Sequence, residues 1–417
     1  MTNKVFICLF VLISLVYLSL RFYRLDSLVI FHTDQAIHLS EAKTILDRHQ
    51  LPLLGPASSK TFMGRSFFVG PNYYYLLALI GIVSSWNPLV VTSYFIIIDF
   101  IFIVFFTIFI RYKFNSVYSL LTFLFLATSP YLVSSSWFFW NPHLLLPLSI
   151  LVLFFLDHFI LTHKLFFLFM ASFFWGFAFS CHYSAVFWVL IFLYFLIHSR
   201  TIFNIKSIFL LLLGFSLGDL PFLVFEIRHQ FYNFKTIFFI YTHSSVGDGL
   251  TYYYFIFPLL VFFLFIVLSL FSRIKSKQTT LLLFLFLITL FSWQFSFSNG
   301  YHSQDNIKGW NYPDQLRTVN LILAAGCPQN FNVAATMQGD TRFYDFRYLL
   351  DLNNCHPNGI DSYPTSKIIY LVAPKSRTPE AETVWEIASF KPFTVSSVTE
   401  INSSLNLFRL DHQNYLE

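Results

Sequence analysis

Residues 31–75 read FHTDQAIHLSEAKTILDRHQLPLLGPASSKTFMGRSFFVGPNYYY and set polar, charged and turn-forming side chains between two strongly apolar segments. Upstream, Val5 to Leu20 is a strongly apolar stretch without a charge after Lys4, and Arg21, Tyr23 and Arg24 follow it directly. No small-x-small cleavage site separates the two, so the segment reads as a retained helix rather than a signal peptide. At ~1.5 Å per residue it reaches, with its flanks, across a hydrocarbon core of ~30 Å. The quoted stretch is then the first loop on the far side of a membrane.

Composition fits that reading. Of 417 residues 56% are hydrophobic, 57 are Phe, and only 11% are charged, against about 25% charged in soluble domains. The fold class expected is a mainly α, polytopic membrane protein with a small α/β domain at its C-terminal end. Nine spans are expected, at 4–21, 89–110, 115–132, 143–161, 165–181, 183–199, 207–224, 252–272 and 279–297. With the N-terminus cytoplasmic, the inner loops carry Arg111, Lys113, Lys164, Arg200, Lys206, Arg273, Lys275 and Lys277 and no acidic residue, which is the positive-inside pattern. Asp26, Asp34, Glu41, Asp47, Glu226 and Asp248 all fall outside. The expected location is the plasma or inner membrane, and the odd span count puts the tail in the extracytoplasmic space. Residues 72–86 are apolar but too short for the ~17 to 25 residues of a span. They read as a juxtamembrane helix opened by Gly70-Pro71, closed by Asn87-Pro88 and carrying Tyr73, Tyr74, Tyr75 and Trp86 at headgroup depth.

Residues 1–297 hold 17 Lys and Arg against 9 Asp and Glu, whereas the remainder holds 9 against 12, so a domain boundary is expected at 297/298. In the tail FNVAAT and KIIYLVAP read as buried strands, RFYDFRYLLDL as an amphipathic helix, and FTVSSV and LNLFRL as alternating strands. Cys327 and Cys355 both lie there, where a disulfide is permitted, though two cysteines in a sequence fix no geometry. No internal repeat and no nucleic-acid signature is visible.

Several polar residues carry a chemical and a structural reading together. Asp34 can serve as a general base at the membrane surface; equally, Thr33 or Asp34 precedes a helical pattern (Ala36, Ile37, Leu39, Ala42, Ile45, Leu46) and suits an N-cap. Lys60, Arg65, Arg228 and His229 can stabilise a phosphate leaving group, or be solvated and interfacial charges; Glu226 clusters with the latter two. Asn141, His143 and His182 lie at outer span ends, where they line a cleft or simply satisfy the interface. Asp99 falls mid-span and is expected to face the bundle interior or be neutral; Asp157, near the inner surface, is expected to pair with Lys164 or His158.

The order of these features resembles the GT-C glycosyltransferases. More narrowly, TDQAIHLSEAKTIL, LPLLGPASSKTFMGRSFFVGPNYYYLLA, ATSPYLVSSSWFFWNPHLLLP and LPFLVFEIRHQFYNF are similar to the bacterial protein-mannosyltransferase-like group (glycosyltransferase family 39/83-like), which includes an aminoarabinose transferase. The resemblance covers roughly residues 1–297. It implies inverting transfer of a sugar from a polyprenyl-phosphate donor to an extracytoplasmic glycan, lipid or protein. Asp34 matches the first-loop acid that the family uses as base, and Gln35, Lys60, Arg65, Tyr73, Asn141, His143, His182, Glu226, Arg228 and His229 form the expected substrate-binding set. Two departures stand out: Asp34-Gln35 replaces the acidic pair of the protein O-mannosyltransferases, and Gly70-Pro71-Asn72 replaces their His-Pro-Pro turn. Both weaken protein Ser/Thr as the acceptor. With Asp34 left as the lone strong base in the early loop no essential cofactor is expected, although related enzymes differ over a divalent metal. A transporter or flippase for a lipid-linked substrate, and a non-catalytic scaffold with an outer binding domain, remain as alternatives. Neither a second copy nor a broken midplane helix is visible to favour the first.

Overall fold

The structure is a computed structural model that describes residues 1–198, 204–243, 253–273, 278–297, 310–337 and 340–413. The chain opens with helices α1 (Asn3–Phe22), α2 (Leu25–Leu28) and α3 (Thr33–Arg48), then a hairpin of β1 (Ala57–Phe62) and β2 (Arg65–Phe68), and helix α4 (Asn72–Val83). The membrane-type helices follow: α5 (Pro88–Lys113), α6 (Ser116–Thr128), α7 (Pro130–Ser135), α8 (Leu145–Thr162), α9 (Leu165–Cys181), α10 (Val189–His198), α11 (Ile205–Gly218), α12 (Leu220–Arg228), α13 (Tyr232–His243), α14 (Tyr253–Arg273) and α15 (Gln278–Phe297). The C-terminal part holds α16 (Tyr312–Ala324), β3 (Phe331–Ala335), α17 (Tyr344–Leu352), β4 (Ile368–Pro374), α18 (Trp385–Ala388), β5 (Phe393–Glu400) and β6 (Leu405–His412). This is a mainly α membrane protein with a small C-terminal sheet domain.

Local sequence sets the ends of these helices. At 26 residues α5 is the longest of the described helices and at ~1.5 Å per residue extends about 39 Å. Asn87 caps its first amides at 2.9 Å, Pro88 occupies its first position, and Arg111 and Lys113 close its last turn. Four described helical stretches are long and apolar enough to cross a membrane: Asn3–Phe22, Pro88–Lys113, Asn141–Thr162 and Phe255–Arg273. The pair Ile205–Gly218 and Leu220–Arg228 would make a fifth span, but it bends by 87°. The span expected at 207–224 is therefore not continuous. Proline at 221 has no amide to extend the α11 ladder, and Asp219, wholly buried, sits at the corner. The span expected at 115–132 is likewise interrupted at Ser129, because Pro130 starts a new helix there. The other expected spans appear as shorter apolar helices, among them Leu165–Cys181 and Thr280–Ser296.

Inside the bundle Asp157 pairs with Lys113 at 2.7 Å, not with Lys164 or His158. The His158 ring lies over Phe154 and bonds its carbonyl one turn back, which leaves the carboxylate to the cation arriving from α5. Asp99 is half-buried and lies within electrostatic reach of Arg21. Arg21 is itself buried, donates to the Ala127 carbonyl at 2.8 Å and sits over the Tyr17 ring.

In the C-terminal domain the strands run in the order β3-β4-β6-β5, with β3 and β4 parallel and the other pairs antiparallel. All four expected strands and the amphipathic helix α17 are present. Cys327 and Cys355 form a disulfide, with Cα atoms 5.7 Å apart. Residues 298–309, where the domain boundary and most of the polar run were expected, lie outside the described residues, as does Asp248. The domain touches the first loop directly. Gln315 donates to the Phe31 carbonyl at 2.9 Å, and the Tyr348 hydroxyl donates to the Trp86 carbonyl at 2.7 Å. Trp86 can turn back because residue 81 is glycine: a Cβ there would meet the Trp86 ring at 2.3 Å.

Candidate active site

The first turn of α3 is held from three directions. Before it, the Ile30 amide donates to the Trp137 carbonyl at 2.9 Å. Within it, Gln35, which is fully buried, accepts from the His32 amide at 3.0 Å and donates to the Phe139 carbonyl at 3.4 Å. From the C-terminal domain, Asp340 accepts from the Thr33 hydroxyl at 3.3 Å. The N-cap position belongs to His32, so Asp34 lies inside the first turn and does not cap it. Its carboxylate makes no hydrogen bond or ion pair among the described residues and remains exposed. It nonetheless loses enough water to surrounding protein that its pKa is raised, with His32 opposing the shift.

One turn further along α3 is His38, at the i+4 position and on the same face. Its ring meets Tyr73 at 5.3 Å and Tyr74 at 5.7 Å between centroids, edge-on in both cases. Both tyrosines belong to α4, which packs along α3. Tyr73 has no exposed surface, and its hydroxyl has no partner among the described residues. Burial, reinforced by Tyr74, Cys181 and Asp34, raises its phenol well above the ordinary range. Burial does the same to Tyr74, with Glu41 and Asp34 adding to the effect. Asp34, His38, Tyr73 and Tyr74 thus form one cluster. The sequence reading named Asp34 and Tyr73 but missed His38, whose signal was its four-residue spacing from Asp34.

The turn into α4 accounts for the unusual Gly70-Pro71-Asn72. A Cβ on Gly70 would lie 2.0 Å from the Ser180 hydroxyl, and Asn72, buried, donates to the Gly218 carbonyl at 2.8 Å. The turn therefore latches α4 to the end of α9 and to the break between α11 and α12.

The remaining expected site residues occupy other positions. Arg65 stacks its guanidinium 4.8 Å over the Phe239 ring of α13, and the Lys60 side chain lies outside the described residues. Glu226 is wholly buried and accepts from the Asn233 amide and side chain and from the Phe234 amide, which fixes the corner between α12 and α13. Arg228 is exposed, and His229 folds onto the Phe225 ring. Asn141 donates to the Cys181 carbonyl at 2.7 Å. His143 is enclosed near Phe138 and Phe257, and His182 accepts from the Ser184 amide at 3.1 Å. No contact joins Arg65 or Arg228 to Asp34 among the described residues. The hairpin and the α12–α13 corner do meet, through Phe68 N donating to Asn233 Oδ1 at 2.8 Å and the Tyr232 hydroxyl reaching Ser66. Among the described residues no three His, Cys, Asp or Glu side chains are arranged to hold a metal ion.

Two crystal structures of ArnT from Cupriavidus metallidurans, one in the apo state and one bound to undecaprenyl phosphate, share this architecture. Each aligns over 96% of this chain and 97% of its own, with a TM-score of 0.54 and 12% sequence identity. No family model and no curated protein matches the sequence. The chain has an ArnT-like fold, and at this identity the likeness establishes the fold alone.

Proposed function

We propose that the protein transfers a sugar from a polyprenyl-phosphate donor to the hydroxyl of an extracytoplasmic glycan, lipid or protein, with inversion at the anomeric carbon. The observation that carries this reading is Asp34: an exposed carboxylate in the first turn of α3, without a hydrogen bond or ion pair among the described residues, in a fold seen in ArnT with undecaprenyl phosphate bound. In the reaction Asp34 takes the acceptor's proton as the new C1–O bond forms, and the bond from C1 to the lipid phosphate breaks on the opposite face. The raised pKa makes the carboxylate a stronger base than an ordinary aspartate. The departing phosphate requires cations, for which Lys60, Arg65, Arg228 and His229 are the candidates, with Glu226 holding their corner. Gln35, Tyr73, Asn141, His143 and His182 complete the candidate substrate-binding set.

The N-terminus is assigned to the cytoplasm and residues 298–417 to the outside. The Cys327–Cys355 disulfide supports that side for the tail, because such bonds persist in oxidising compartments. The bent α11–α12 pair, with Asp219 buried at its corner, is a feature a transporter would also use. Mass spectrometry of envelope glycans and lipids, from cells with and without the gene, separates the readings: loss of an enzyme abolishes one glycosidic linkage and leaves its lipid-linked donor unused in the outer leaflet, whereas loss of a flippase traps the lipid-linked precursor in the inner leaflet.

A further inference from the structure

We propose that His38 is a second substrate-contacting group of the site, its Nε2 hydrogen-bonding a sugar or acceptor hydroxyl beside Asp34. The inference rests on the reading of Asp34 as the base and adds to it a residue that the resemblance did not supply. The ring is 5% exposed and set between Tyr73 and Tyr74. Its Nδ1 is enclosed with no hydrogen-bond partner among the described residues. The Nε2 atom is not enclosed in this way, so it is the nitrogen that can reach a ligand.

Packing alone does not explain a histidine here. An unpaired ring nitrogen in an apolar enclosure costs about 1 to 3 kcal/mol, and a leucine or phenylalanine would fill the aromatic box without that cost. The spacing on α3 brings the ring within about 6 Å of Asp34 between Cβ atoms. Burial lowers the imidazole pKa to about 3, so the ring is neutral at any envelope pH. A neutral ring suits a hydroxyl better than a phosphate. It also leaves Asp34 its basicity, which a neighbouring imidazolium would weaken. Tyr73 and Tyr74 pack edge-on against the ring and hold it in place.

The two ring nitrogens can be told apart by substitution, since a glutamine amide reaches the Nε2 position and an asparagine amide only the Nδ1 position. Full-length wild type, His38→Gln, His38→Asn and Asp34→Asn would be purified in detergent and given undecaprenyl-phosphate-linked sugars extracted from the host membrane. Release of undecaprenyl phosphate and the transferred product would both be followed by mass spectrometry. The expected result is that His38→Gln stays within about 5-fold of wild type while His38→Asn falls about 10- to 100-fold, the usual effect of one lost polar contact, at equal thermal stability. If the hydroxyl belongs to the acceptor, His38→Asn loses transfer but keeps slow donor hydrolysis; if it belongs to the donor sugar, both fall together. Equal activity of the two variants, whether both high or both low, overturns the proposal. Asp34→Asn separates the premise from it: an active Asp34→Asn removes the base, whereas an inactive one beside two equivalent His38 variants removes only His38.

Discussion

Glu226 gives a quantitative test of how the α12–α13 corner is held against the β1–β2 hairpin. Its Oε1 accepts from Asn233 Nδ2 at 2.7 Å and from the Asn233 amide at 3.2 Å, and its Oε2 from the Phe234 amide at 3.4 Å. Asn233 in turn accepts from the Phe68 amide of the hairpin. Hydrogen bonds to a charged acceptor contribute about 1.5 to 3 kcal/mol each, and the longest of the three adds little. Glu226→Ala removes the acceptor from a site with no exposed surface and leaves its donors unpaired, a loss of about 3 to 5 kcal/mol. Glu226→Gln retains one carbonyl acceptor without the charge and loses about 1 to 2 kcal/mol. Hydrogen exchange on the full-length protein reads this locally: in Glu226→Ala the amides of Phe68, Asn233 and Phe234 should exchange about 10²- to 10³-fold faster, with the helices of the bundle unaffected. Unchanged exchange in Glu226→Ala would refute the pin. So would Glu226→Gln that abolishes activity with exchange intact, since the carboxylate would then be contacting substrate.

Three further outcomes follow from the geometry. Gln35→Glu sets a buried carboxylate against the Phe139 carbonyl in place of a donor, and the unfolding temperature should drop by the equivalent of about 2 to 4 kcal/mol; an unchanged midpoint would contradict the buried placement. Asp345, buried near Trp310 and Gln315, has its pKa pushed up to about 7 chiefly by loss of water. A raised carboxylate favours the fold below about pH 4, and this contribution is lost as pH rises toward 7. Exchange in 344–352 should therefore quicken over that window, and Asp345→Asn should flatten the dependence. Cys355→Ser opens a bridge spanning 28 residues and should cost about 3.5 kcal/mol by loop entropy, whereas maleimide should label the wild-type pair only after reduction.

Much of the fold was legible because long apolar runs with polar flanks admit few alternatives, as at α1 and α5, and because strand alternation in the tail is local. The two interrupted spans were hidden by the same apolar richness. At 207–224 the informative residues were Asp219 and Pro221, an acid and a missing amide where continuity was assumed, and at 115–132 it was Pro130. Helix α16 carries its own capping box, Asn311 to Asp314, but the polar run directly before it blurs its start in the sequence. Asp34 stood out as an acid in the first loop. His38 did not, since its significance depends on α4 folding two tyrosines over it. Lys113 with Asp157, and Thr33 with Asp340, join residues far apart in sequence that no spacing rule connects.

The most direct test reconstitutes the full chain with membrane-extracted, lipid-linked sugars and compares release of polyprenyl phosphate by wild type and by Asp34→Asn at equal abundance. Loss of a general base predicts a fall of about 10²- to 10⁴-fold with lipid binding retained. Wild-type turnover by Asp34→Asn would contradict the assignment of that carboxylate as the base.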